Sequence, residues 1–199
     1  MNPFASFDCL GLGTRLQGAL GDTSDPELHM FAYLSCLLWL YRGHPVSDWG
    51  YSFTGTREGA PFSTDMEHAL VELATSGHIS DDPNHRVVTP GGSELFAELR
   101  ELTLNRTREP YLEGACSTAL AFPPGRVRDA LVRQPELKRA HLTGAATQLL
   151  DDRTADVMYG QFQQLSQALG VDTHDLMIPA TVWVEYLLRA EPAPKDARP

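Results

Sequence analysis

The chain has 199 residues, 42% of them hydrophobic, and a formal net charge of −10. That composition supports a packed core and argues against global disorder, and the length suits one large domain or a small domain with an extension. The charge is unevenly placed: residues 1–85 hold 3 Lys or Arg against 11 Asp or Glu, residues 86–153 hold 10 against 9, and residues 154–199 hold 3 against 6, so the N-terminal half has the wrong sign for a surface that tracks phosphates.

Cys9, Cys36 and Cys116 are odd in number, far apart and without a C-x-x-C pair. They argue against a disulfide framework or a zinc ribbon and for a reducing, cytoplasmic setting. The opening residues "MNPFASFDCLGLGTRLQG" have no basic leader followed by a long apolar run, so no signal peptide is expected. The most apolar stretch, residues 30–41, is 12 residues long. That is too short to span a bilayer and reads as a buried helix.

In chain order, residues 1–25 form a glycine-rich segment with a short helix near Thr14–Leu20. "DPELHMFAYLSCLLWLYRG" predicts a strong helix over 26–42, with Asp25 as cap, Pro26 in the first turn and a stop at Arg42 and Gly43. Its apolar residues fall on every side, so it must be covered on every side. The expected cover is the layer around residues 78–89 and a helix starting at Pro179, whose stripe is Val182, Tyr186 and Leu187. "HPVSDWGYSFTGTREGAPFS" follows, with glycines and prolines that predict a loop or a short strand around Tyr51 and Phe53.

Ser63 starts a helix to Ser76, with Met66, Ala69, Leu70, Leu73 and Ala74 on one core face. Gly77 ends it. His78–Ser80 and Arg86–Thr89 then read as an antiparallel pair around the turn "DDPN". Ser93 begins another helix, with Leu95, Phe96, Leu99 and Leu102 inward. The second half predicts helices near 111–120, 125–133, 135–150, 154–169 and 179–189. The tail "AEPAPKDARP" has three prolines and no apolar anchor and predicts disorder.

Residues 63–99 resemble the winged helix-turn-helix superfamily. The pattern is a helix containing "ALVELATSGHI", a polar turn, then "RVVTPGGSELFAEL". Gly77, Ile79, Thr89 and Gly92 stand at the helix exit, the first inward strand residue and the turn into the next helix. The departure lies upstream, where the glycine-rich loop occupies the place of a second helix. The phrase "GAPFSTDMEHALVELATSGHI" is similar to the helix entry of Panacea-type domains, small bacterial domains with antitoxin and adaptor roles, and that resemblance implies protein partners. The expected fold is mainly α with a small antiparallel β wing: a winged-helix-like domain over 26–108 and a helical region over 109–190, flanked by the segment 1–25 and the tail 191–199.

A recognition helix reads bases and orients on phosphates with basic and amide side chains. The outer face of 64–76 offers Thr64, Asp65, Glu67, His68, Glu72 and Thr75, with no Lys or Arg. If DNA is bound, the contacts fall to Arg57 and Arg86. Arg126, Arg128, Arg133, Lys138 and Arg139 offer a second basic face, read first as solvated helix charges. "GLGTRLQG" has Leu16 where a nucleotide-binding loop needs its third glycine. His78, Asp82 and His85 lack a familiar metal spacing, and lone cysteines without a placed histidine are poor nucleophiles. No enzyme activity, cofactor or metal is expected.

Trp49, Tyr51, Phe53 and Phe62, in a polar loop, form the expected partner-binding patch. The preferred function is a non-catalytic interaction subunit or adaptor of a bacterial regulatory or defence-type complex, binding a protein partner or a second copy of the chain. The alternative is a winged-helix transcriptional regulator that dimerises through its helical half, with nucleic acid as the less favoured partner.

Overall fold

In a computed structural model, residues 2–170 and 175–189 are described. The tail 191–199, expected to be disordered, lies outside them. The protein is mainly helical, with a small antiparallel sheet.

Helix α1 (Pro3–Leu20) is far longer than the short helix expected near Thr14–Leu20. Asn2 caps it by accepting hydrogen bonds from the Phe4 and Ala5 amides at 3.1 and 3.3 Å. The glycines that argue against a helix serve close packing instead. A Cβ on Gly11 would stand 3.0 Å from both Leu112 and Phe96, and one on Gly13 would stand 2.8 Å from Val88. The helical cost of glycine, about 1 kcal/mol each, is offset by that approach.

Helix α2 (Asp25–Tyr41) starts one residue earlier than expected. Its cap is Ser24, whose amide and hydroxyl both donate to the Glu27 carboxylate at 2.8 and 2.9 Å. Asp25 is thereby left for another task. Helix α2 is buried nearly all round, as its sequence requires. Its main cover comes from α1, α6 (Glu109–Ala121) and α9 (Asp152–Leu169), with smaller contacts from α10 (Met177–Arg189). On α10 the buried residues are Pro179, Ala180, Trp183, Val184 and Leu187, whereas Tyr186, expected inward, is exposed and stacks on Trp183.

The sheet has the order β2-β1-β3 and joins β1 (Phe53–Gly55), β2 (Pro61–Phe62) and β3 (Thr147–Leu149). Thr54 is the centre, facing Phe62 on one side and Gln148 on the other. The long helix expected over 135–150 therefore divides. Helix α8 (Pro135–Thr143) stops at Gly144, which takes a left-handed conformation at φ 68°, and the residues beyond it enter the sheet.

Helix α3 (Thr64–Thr75) buries Met66, Ala69, Leu70 and Leu73, as its periodicity predicts. The expected antiparallel pair after it is present but minimal. It has one bridge, Ile79 to Val88, with the Ser80 amide donating to the Val87 carbonyl at 2.8 Å and the Thr89 amide donating to that of His78 at 3.0 Å. Thr23 extends it through a bridge to Arg86. Helix α4 (Pro90–Arg100) begins three residues before the expected Ser93, because Thr89 caps it by accepting from the Gly92 amide at 3.1 Å. Any side chain on Gly92 would strike the His78 carbonyl, 2.0 Å from a Cβ there. On α4 Gly92 and Phe96 are fully buried and Leu95 and Leu99 are half-buried against the core, whereas Leu102, expected inward with them, is exposed.

The short α5 (Thr103–Arg106) leads into α6, followed by α7 (Pro124–Leu131) and α8. Helix α6 packs on α1, α2 and α10. One continuous cluster of buried residues runs from Ala5 to Leu187 and includes the 1–25 segment. Among the described residues no helix is long and apolar enough to cross a membrane.

Candidate functional site

The aromatic loop expected to offer a docking patch is core. Trp49 is 0% exposed, Tyr51 8% and Phe53 2%. The cause is Arg108, itself 2% exposed. Its guanidinium lies over the Trp49 ring at 3.8 Å from the centroid, and its Nη1 donates to the Trp49 carbonyl at 2.7 Å. Its Nε donates to Asp8 Oδ1 at 2.9 Å, and its Nη2 donates to Asp8 Oδ2. The Tyr51 hydroxyl donates to the same Oδ2 at 2.6 Å. Burial opposes the charge on Arg108, but the Asp8 carboxylate and its hydrogen bonds outweigh it and hold the guanidinium above its ordinary value. Burial, then the Asp8 charge, push the Tyr51 phenol up. Loop 49–53 thus tiles a buried ion pair that ties α1 to the start of α6. Phe62, the fourth residue of the expected patch, is half-buried and packs against His29 with ring centroids 4.8 Å apart.

The two arginines assigned to the DNA alternative are both engaged. Arg86 is 7% exposed. Its Nε and Nη2 donate to the two carboxylate oxygens of Asp25 at 2.7 and 2.9 Å, and its Nη1 donates to the Ser80 carbonyl at 2.7 Å. It is a strut between α2 and the 78–89 turn, not a surface cation. Arg57 is exposed, but its Nε donates to the adjacent Glu58 at 2.6 Å.

A second inward polar contact sets the start of α3. The Ser63 amide donates to His29 Nδ1 at 3.2 Å, so that nitrogen carries no proton. The ring proton is therefore on Nε2, which faces Glu67 Oε2 at 3.4 Å. Burial lowers the His29 pKa, against the raising influence of Glu67.

What remains outside is the candidate interaction surface. On α3 it presents Thr64, His68, Val71, Glu72 and Thr75, with Val71 54% exposed. Asp81 and Asp82 are exposed on the adjoining turn, and Glu94 and Glu98 on α4. On α3 itself there is no Lys or Arg.

The cysteines are buried, and burial raises all three thiols, Cys116 to about 12. They are poor nucleophiles as they stand. Among the described residues no group of three His, Cys, Asp or Glu side chains is placed to hold a metal ion. His85 of the considered trio donates from Nδ1 to Asp22 Oδ2 at 2.7 Å, on the surface. Two open clefts are notable. One, of about 300 Å3, lies between the N-terminal ends of α2 and α7 and is lined by Pro26, Met30, Pro61, Pro124 and Leu131. The other, of about 380 Å3, is lined by Ser47, Ser52, Asp65, Gln148 and Leu150.

The sequence reading missed Asp8 and Arg108. A signal was present, since a lone aspartate inside "FASFDCLGLG" must find a cation if that stretch is buried. In comparisons with known proteins, no family model, no curated protein and no solved structure matches the chain.

Proposed function

We propose that this protein is a non-catalytic interaction subunit, an adaptor of a bacterial regulatory or defence-type complex, which keeps a winged-helix-like order of elements and binds protein in place of nucleic acid. The observation that carries this reading is the engagement of Arg86. The cation that could touch a phosphate beside α3 is turned inward to Asp25, and the helix in the recognition position presents valine, threonine and carboxylates. A duplex would meet repulsion there, whereas a protein surface of mixed or basic character would not.

The regulator alternative draws on one feature, the exposed Arg126, Arg128, Lys138 and Arg139 of α7 and α8. Of these, Arg139 faces Glu136 at 4.0 Å. A mobility-shift titration with duplex fragments from the native host, including the gene's own promoter, separates the two. The expected result at physiological salt is no selective retention. Submicromolar, sequence-selective retention abolished by charge reversal on α7 and α8 would replace the adaptor reading with the regulator.

A further inference from the structure

We propose that the outer edge of α4 is the docking surface for a basic amphipathic helix of a partner protein. The proposal rests on the adaptor reading and specifies what the adaptor holds. Leu95, Leu99 and Leu102 follow one another at i, i+4 and i+7, the spacing that aligns side chains along one line of a helix. Leu95 and Leu99 are half-buried, each packing one side on the core and leaving the other open, and Leu102, just beyond the helix end, is 56% exposed. Helix α4 packs inward on α1 through Phe96, whose ring lies 5.2 Å from that of Phe7. The leucine line sits at the margin of that contact.

One position before each leucine stands a glutamate: Glu94, Glu98 and Glu101. All three are exposed; Glu101 accepts a hydrogen bond from Arg106 at 3.1 Å, so the open carboxylates are Glu94 and Glu98. This edge therefore carries two neighbouring lines, one of leucine and one of carboxylate, whose first two pairs lie on α4 and whose last, Glu101 and Leu102, follows its end. The leucine line lies between the core and the carboxylates. A partner helix laid along this edge would insert apolar side chains at i, i+4 and i+7 against the leucines. Lys or Arg flanking its own apolar line would meet the carboxylates. Charge complementarity selects a basic helix over an acidic one, and fixes which way its polar flank faces.

The test uses the full chain and two synthetic helical peptides with identical leucine positions, one carrying lysines on the flanking line and one carrying glutamates. Fluorescence anisotropy at physiological salt should show saturable binding of the lysine peptide alone. Leu102→Asp adds a carboxylate, so diffuse charge attraction would grow stronger, whereas docking on the leucine line should weaken by roughly tenfold or more. The Glu94→Gln, Glu98→Gln double variant should also weaken binding and flatten its salt dependence. Because these side chains are exposed, the variants should keep the melting temperature of the parent. Three results would overturn the proposal: no saturable binding of the lysine peptide, unchanged or tighter binding by Leu102→Asp, or a concentration-dependent dimer of the free protein that Leu102→Asp dissolves. The last assigns the edge to a second copy of the chain. Selective duplex retention in the mobility-shift titration would instead defeat the adaptor reading, so the two failures are distinct.

Discussion

Trp49 and Leu102 are both apolar side chains in short connecting segments, yet Trp49 is fully buried and Leu102 is 56% exposed. The difference is made by a cation. Loop 49–53 has Arg108 beneath it, a buried charge that needs its hydrogen bonds met and its face covered. Trp49 supplies both a ring and a carbonyl, and Tyr51 completes the coordination of Asp8. Leu102 follows a helix whose inward contact is made by Gly92 and Phe96, with Leu95 and Leu99 half-buried beside them. Nothing beneath it requires cover. For these two connecting residues apolar character alone does not decide which lies inside; the buried ion pair beneath Trp49 does.

The strongest way to break this comparison is to remove the seal or its object. Asp8→Asn leaves Arg108 buried without its counter-charge and should cost about 3–5 kcal/mol, read as a fall in denaturant midpoint with unchanged m-value. Trp49→Ala should cost a similar amount, about 3–5 kcal/mol, the usual range for a buried tryptophan. If either variant unfolds at the parent's midpoint, the node does not hold loop 49–53 in place.

A middle-sized effect is expected from pH. In the folded protein His29 is kept neutral by burial, so its pKa lies below that of the unfolded chain, about 6.5. The unfolded state then binds the extra proton first. Stability should fall as pH drops below about 6.5 toward the folded pKa. His85 has the opposite sign. Its hydrogen bond with Asp22 raises its pKa, so its contribution is fully present below the unfolded pKa and is lost as pH rises through the folded value. Thermal melts between pH 5 and pH 7.5 should show a flatter acid limb for His29→Asn and a steeper one for His85→Asn. Equal limbs in all three proteins would contradict the two pKa directions, His29 down and His85 up. The smallest effect belongs to the exposed side. Leu102→Asp should change stability by about 0.5 kcal/mol or less, and a large loss would mean that the leucine line is packed.

Elements with a strong period were legible in the sequence. Helices α2, α3, α6 and α9 fall close to their expected spans, and the minimal pair at Ile79 and Val88 forms around the expected turn. What was not legible depends on residues far apart in the chain. Glycine at 11 and 13 reads locally as a helix breaker, and it takes Leu112, Phe96 and Val88 to make it a packing device. Residues 147–149 continue a helical pattern until β1 offers an edge. The candidate site divides the same way. The acidity of α3 was visible from residue types, while the inward commitments of Trp49 and Arg86 depend on Arg108 and Asp25, neither adjacent in sequence.

The Asp8–Arg108 pair joins residues 100 positions apart, and β1 waits for residues 147–149. A ribosome adding about 5–20 residues per second needs roughly 5–20 seconds to deliver the arginine after the aspartate. Through that interval α1 can rest on α2, α3 and α4 as they emerge, but its contact with α6 is missing and Asp8 stays without its counter-charge. Damage to this node therefore acts on the newborn chain before it acts on the finished one, lowering the amount of protein made in the cell more than a melting curve of the survivors would reveal.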